Sequence, residues 1–139
     1  MIVERASEDD LADVIAIDAT QMGTARAAYL EQAVAQRGCY VAREGWAILG
    51  FAVLKRSFFD HYMIDLLVVH PAQRRRGAAT ALIRHLEQIV PEEKLFTSTN
   101  DSNAPMRALC EKLGFVESGW IDNLDEGDPE IVYFKRLSR

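Results

Sequence analysis

The sequence predicts a mixed α/β domain with strand-helix-strand units in its second half. Three observations carry that prediction. Short apolar runs alternate along the chain with segments of helical period. A nearly unbroken apolar run, Tyr62 to Val69, leads through a short turn into the clearest amphipathic pattern of the chain. And 139 residues suffice for one domain, 1–139, that buries a core of its own.

Each element follows in order. Ile2 to Arg5 reads as a short strand. Ser7 stands three residues before Asp10, a capping-box spacing, and Leu11, Val14, Ile15 and Ala19 then recur at helical intervals to about Asp18. Thr24 to Arg37 is a weaker helix with a thin apolar face, a candidate flap. Cys39 to Arg43 and Trp46 to Lys55 flank Glu44-Gly45 as a hairpin. Tyr62 to Val69 is expected in the middle of the sheet, stopped by Pro71. Ala78, Leu82, Leu86 and Val90, with Ala79 and Ile83, form two ridges of a helix. Lys94 to Thr99 reads as a strand, and Asn103 to Leu113 as a helix with Met106, Leu109, Cys110 and Leu113 inward and Gly114 at its end. Phe115 to Trp120 and Glu130 to Leu137 close the chain as strands around an acidic loop.

Composition narrows the function classes. A 49% apolar and 27% charged chain is an ordinary globular one. A net charge of −5 disfavours a nucleic-acid partner, whose affinity rests on neutralising phosphates. Cys39 and Cys110 make no disulfide framework, and His61, His70 and His85 are scattered, so no metal is expected. No apolar run reaches membrane-span length, and Met1 leads straight into Ile2-Val3-Glu4-Arg5 without a signal-peptide pattern. The expected setting is a reducing cytoplasm, with no membrane partner.

The stretch from Leu66 to Thr80 carries the chemistry. A buried strand passes through His70-Pro71-Ala72-Gln73 into Arg74-Arg75-Arg76-Gly77-Ala78-Ala79-Thr80, where small residues open a helix. Free amides and the positive dipole end of a helix make an anion site, and Gly77 lets a phosphate approach the backbone. Three arginines expected in a first helical turn contradict the usual acidic preference there. Either these arginines are a solvated basic cluster at a helix start, or a bound polyanion supplies the missing negative charge, the reading favoured by the glycine, the small residues and the preceding apolar strand.

Arg74-x-x-Gly77-x-Ala79 resembles the acyl-CoA-binding signature of the GCN5-related N-acetyltransferase (GNAT) family, and Leu67-Val68-Val69-His70-Pro71 resembles the strand end that precedes it. A second block, Asn103-Ala104-Pro105-Met106-Arg107-Ala108-Leu109-Cys110-Glu111-Lys112-Leu113-Gly114-Phe115, is similar to that family's Asn-x-x-Ala-x-x-Leu-Tyr-Glu-Lys-Leu-Gly-Phe helix. The resemblance covers about His61 to Trp120. It implies a largely antiparallel central sheet with one splayed parallel strand pair, flanked by helices. It also implies acetyl-CoA as co-substrate, an amine acceptor on a small molecule, peptide or protein, and room for a homodimer. By the same resemblance, amides from Arg75 through Arg76, Gly77, Ala78 and Ala79 to Thr80 would hold the pyrophosphate, with Arg74 and Arg76 beside it. Leu67, Val68 and Val69 would meet the pantetheine arm, with the backbone of Val68 and Val69 pairing to it as an extra strand. Asn103 would touch the same arm, or serve only as a helix N-cap.

Amine acetylation needs a deprotonated amine, a stabilised oxyanion and a thiolate that leaves. Asp65, on one strand face with His61, Met63 and Leu67 and expected to be buried among apolar neighbours, is either the base or the partner of a structural hydrogen bond to a neighbouring loop. His61, on the same strand, is a second candidate base and a candidate for the acceptor's contacts, and it is expected in an exposed loop. The family's leaving-group tyrosine is replaced by Cys110, a thiol that either donates the proton or packs as a small hydrophobe. Tyr133 is a substitute candidate for the acid, Tyr62 a weaker one, and water a third source of the proton. In the loop Asn123 to Glu130 four acids form either a solvated turn or a seat for an ammonium, with Glu130 the preferred contact. The missing tyrosine motivates the alternative of an acyl-CoA-binding regulatory module without turnover.

Overall fold

A computed structural model describes residues 1–139. The chain divides into two compact units, Met1–Leu54 with Leu66–Gln88, and Lys55–Asp65 with Ile89–Arg139. Seven strands form one sheet of order β1-β2-β3-β4-β5-β7-β6, antiparallel except for one parallel pair, where β1 is Ile2–Arg5, β2 Cys39–Glu44, β3 Ala47–Phe58, β4 His61–Val69, β5 Lys94–Asn100, β6 Val116–Ile121 and β7 Glu130–Arg136. β3 and β4 each run through both units.

In the first unit the Ser7–Asp10 box forms, with the Ser7 amide donating to Asp10 Oδ2 at 2.9 Å, and it opens a 3-10 turn rather than the helix itself. Helix α1 follows over Leu11–Met22 and outlasts the expected end near Asp18, because its ladder continues until Gly23, at φ 59°, donates back to Ala19. Asp18 is 1% exposed and is gripped by Arg26, Nε to Oδ2 at 3.1 Å and Nη2 to Oδ1 at 2.5 Å. That pair closes the link to α2, Ala27–Ala35. The thin apolar face of α2 is sufficient. Leu30, Ala33 and Val34 are buried with Val14, Ile17, Val41, Phe51, Val53 and Val68, so α2 is seated in the core and the flap expected there is not found. Alternation along β2 sends Tyr40 the other way, to His85 of α3, Ala78–Ile89, with ring centroids 5.7 Å apart. Leu82, Ile83 and Leu86 are the buried ridge of α3.

In the second unit β4 and β5 pair in parallel from Tyr62–Leu95 to Ile64–Thr97, and β5 pairs along its whole length with β7. The β3–β4 hairpin turns on Phe59 and Asp60, at φ 51° and 64°. Helix α4 spans Ala104–Lys112 and ends at Gly114, φ 93°, with the Phe115 amide returning to Cys110 O at 2.9 Å. Phe115 is buried, as its place after the cap predicts. β6 is an exposed edge strand interrupted by an irregularity between Glu117 and Trp120, where Gly119 sits at φ 111°. No helix is long and apolar enough to cross a membrane.

Candidate functional site

The site grows from the end of β4. The His70 amide donates to Leu49 O of β3 at 2.8 Å, which fixes where the strand stops. Gly50 lets β3 come this close: a Cβ there would lie 2.7 Å from Val68 O and 3.1 Å from Val69 Cα. His70 then organises a 3-10 turn over Pro71–Gln73, its Nδ1 accepting from the Ala72 amide at 3.0 Å and its carbonyl from the Gln73 amide at 2.8 Å. Arg74 is extended, and Arg75 and Gly77 are left-handed at φ 67° and 83°. A non-glycine residue in that region costs about 1–2 kcal/mol.

α3 starts at Ala78, and Ala81 donates to Gly77 O at 2.9 Å. The amides of Ala78, Ala79 and Thr80 therefore precede the helical ladder, and no acidic side chain lies in the first turn. A Cβ on Gly77 would meet nothing within 4 Å, so the ground before this helix end is open. The arginines lie ahead of the helix and not in its first turn, which corrects the sequence-based expectation. Their charge and the positive helix end have the same sign, so both attract an anion and neither neutralises the other. Arg76 is already used, paired with the Glu44 carboxylate and donating to Gln73 Oε1 at 2.9 Å. Arg74 and Arg75 are exposed without a carboxylate partner. Amides, dipole and two uncompensated guanidinium groups together make a cradle for a polyanion.

In the second unit the other expected residues fall into separate settings. Asp65 is exposed and accepts from the Ser57 hydroxyl at 3.4 Å, so the burial expected of it is absent. The apolar neighbours misled because Ile64 and Val68 are buried on the opposite strand face. His61 is the first residue of β4 and not a loop residue. Its ring stands 6.0 Å from that of Phe96, and it borders a recess of about 370 Å³ lined by Pro91, Glu92, Glu93, Lys94 and Arg139. His61 and Val69 mark opposite ends of β4. Glu130 opens β7 and accepts from Ser98 Oγ at 2.7 Å.

Cys110 and Tyr133 are both fully buried. Burial pushes the Cys110 thiol up to about 11, with the Glu111 carboxylate adding to the shift. The Tyr133 hydroxyl accepts from Arg107 Nε at 3.1 Å. Asn103 accepts the Met106 amide at 3.3 Å, an N-cap bond. Two acids of the last loop are also employed internally: Asp125 takes the Asn100 amide group at 2.9 Å, and Asp128 takes the Ser102 backbone amide and hydroxyl at 3.0 and 2.6 Å.

Sequence reasoning missed Glu44, Ser57, Ser98 and Arg107 as partners of the expected residues. Arg107 carried a weak signal, since it lies inside the second motif block. Glu44 and Ser98 carried none, being 32 residues from Arg76 and Glu130. No group of three or more histidine, cysteine or acidic side chains is placed to hold a metal ion.

The acetyltransferase (GNAT) family model matches residues 8–115. A solved GNAT-family acetyltransferase from Bacillus cereus is 36% identical, with a TM-score of 0.95 over 99% of this chain and 98% of that one. The ribosomal-protein-alanine N-acetyltransferase of Brucella melitensis is 21% identical, with a TM-score of 0.79 over 99% and 100% of the two chains. The Salmonella typhimurium protein yncA, solved with its cofactor acetyl-CoA, is 20% identical, with a TM-score of 0.78 over 100% and 95%. These last two likenesses concern the fold. No curated protein matches the chain significantly.

Proposed function

Since the chain belongs to the GNAT acetyltransferase family, we propose that residues 1–139 act as one cytoplasmic N-acetyltransferase domain, moving the acetyl group of acetyl-CoA to a primary amine of a small molecule, peptide or protein. The observation that carries this reading is the open helix start at Gly77, with uncapped amides behind it and two unpaired arginines before it. A CoA pyrophosphate matches that donor set in charge. The acetyl-CoA bound to yncA supports the same cofactor.

In this reading the amides of Ala78, Ala79 and Thr80 hold the pyrophosphate, with Arg74 and Arg75 neutralising it. Arg76 braces the turn through Glu44 instead of serving the ligand. The pantetheine lies along Leu67, Val68 and Val69 as an added strand, beyond the last β5 partner of β4 at Ile64. A backbone amide at Val68 or Val69 polarises the thioester carbonyl. Asp65, exposed and steadied by Ser57, takes the proton of the acceptor ammonium, directly or through water. Glu130, oriented by Ser98, contributes the negative charge that receives the ammonium. Joining both substrates in one complex supplies much of the acceleration.

The leaving thiolate takes its proton from water. A thiol has an ordinary pKa of about 8.5, so its anion leaves without a strong acid. Cys110, shut in with a thiol pushed up to about 11, is read as packing. The Arg107 bond favours Tyr133 as the second reading for the acid, because it leaves the phenolic hydrogen for another acceptor. The burial of both groups also favours a regulatory module that binds acyl-CoA without turnover.

One experiment separates these readings: thermal unfolding with acetyl-CoA, CoA or ATP, followed by CoA release with an amine panel. Ligand at a hundred times its Kd stabilises by about 2.7 kcal/mol, several degrees for a domain of this size. A shift with both CoA compounds and not with ATP, together with CoA release, is expected. A shift without release on any amine selects the regulatory module. No shift at millimolar ligand removes the CoA site.

A further inference from the structure

The hairpin fastened to the turn carries the most exposed large apolar side chain of the molecule, Trp46, at 99%. Gly45 and Trp46 form the two-residue tip, with Gly45 at φ 59°. Glu44, immediately before the tip, is the carboxylate that grips Arg76. The hairpin end and the anion-binding turn are thus joined by an ion pair inside one compact unit. Packing does not explain the indole, since virtually all of its surface faces solvent. Solubility does not explain it either, because an exposed tryptophan is the residue type a surface turn can best do without.

A free aromatic face two residues from the carboxylate that holds Arg76, on a turn that also carries the uncompensated guanidinium groups of Arg74 and Arg75, offers the combination that binds nucleotides. The charges meet phosphates and the ring meets the base. We propose that Trp46 is the platform on which the adenine of CoA stacks, while Arg74 and Arg75 neutralise the phosphates of the adenosine end. The proposal rests on the CoA reading of the turn, and it adds a base-binding position that lies outside both motif blocks.

The test compares CoA with 4′-phosphopantetheine, which lacks the adenosine and the phosphates attached to it, on wild type, Trp46→Ala and Trp46→Phe. Calorimetric Kd values are the readout, with equal melting temperatures verifying that the variants fold. Trp46→Ala is expected to weaken CoA binding roughly tenfold and leave 4′-phosphopantetheine unchanged, while Trp46→Phe keeps most of the affinity. In a Trp120→Phe background, where Trp46 is the one remaining indole, CoA should quench emission and 4′-phosphopantetheine should not. Equal CoA affinity in wild type and Trp46→Ala overturns the platform while the turn stands. An equal loss for both ligands also overturns it, because the effect would then act through the turn. If wild type binds neither ligand, the CoA reading falls and takes the platform with it.

Discussion

The Arg74–Thr80 turn and the Asn103–Phe115 helix are equally recognisable as strings, but their groups are employed in opposite ways. In the helix block the polar groups find partners within the protein: Asn103 caps Met106, Arg107 holds Tyr133 and Asp101, and Phe115 closes the end on Cys110. In the turn, Arg76 alone of the three arginines is matched, and the helix that follows opens without a side-chain acid. Helix-end amides take side chains, water or ligands as partners, and the proposed CoA site would use those that open α3. A motif that satisfies itself is building the fold.

The sharpest way to break that contrast is Gly77→Glu. It places a carboxylate on the open ground before α3, and acetyl-CoA affinity measured by calorimetry should fall at least about a hundredfold, on the order of 2.7 kcal/mol. The left-handed backbone makes the same change cost about 1–2 kcal/mol of stability, so the protein still folds. Unchanged affinity would show that the turn binds nothing. Next in size, removing Arg74 and Arg75 together should weaken CoA roughly tenfold in low salt, with the loss shrinking as ionic strength rises. Arg76→Ala should cost clearly less, since that side chain is committed to Glu44; the reverse order would exchange their roles.

The helix block should respond in stability and not in binding. Asn103→Ala removes a cap and should cost about 1 kcal/mol in urea unfolding, with the Kd for acetyl-CoA held within about twofold. A large change in Kd would make Asn103 a cofactor contact after all. The smallest effect is expected at Cys110. Cys110→Ala should leave kcat within about twofold, and iodoacetamide should label the native thiol only on unfolding, because the side chain is buried and its thiol is pushed up to about 11. A thirtyfold fall in kcat without unfolding would restore the thiol as the acid.

What the sequence made legible follows the range of the interactions. The turn, the α3 ridges, the Ser7–Asp10 box and the Gly114 cap depend on residues a few positions apart, and each was visible as spacing. Asp65 was misread because an apolar run does not reveal which strand face is covered. Ile64 is buried and Asp65, one residue on, is exposed. The flap reading of α2 failed for a related reason, since three small or branched side chains suffice when the sheet already presents Val41, Phe51 and Val53 to them. Cross-strand partners such as Glu44 for Arg76 leave no local trace. They exist only once the register of β2 on β3 is set.

Gly50 touches no ligand in any of these readings, but its missing side chain fixes how near β3 lies to the carbonyl of Val68. Even the smallest substitution would press on that backbone, and every larger residue would press harder. Position 50 is thus a mutational dead end. The hairpin tip and the acidic loop carry exposed side chains that can change freely, while position 50 is held by the backbone of the neighbouring strand.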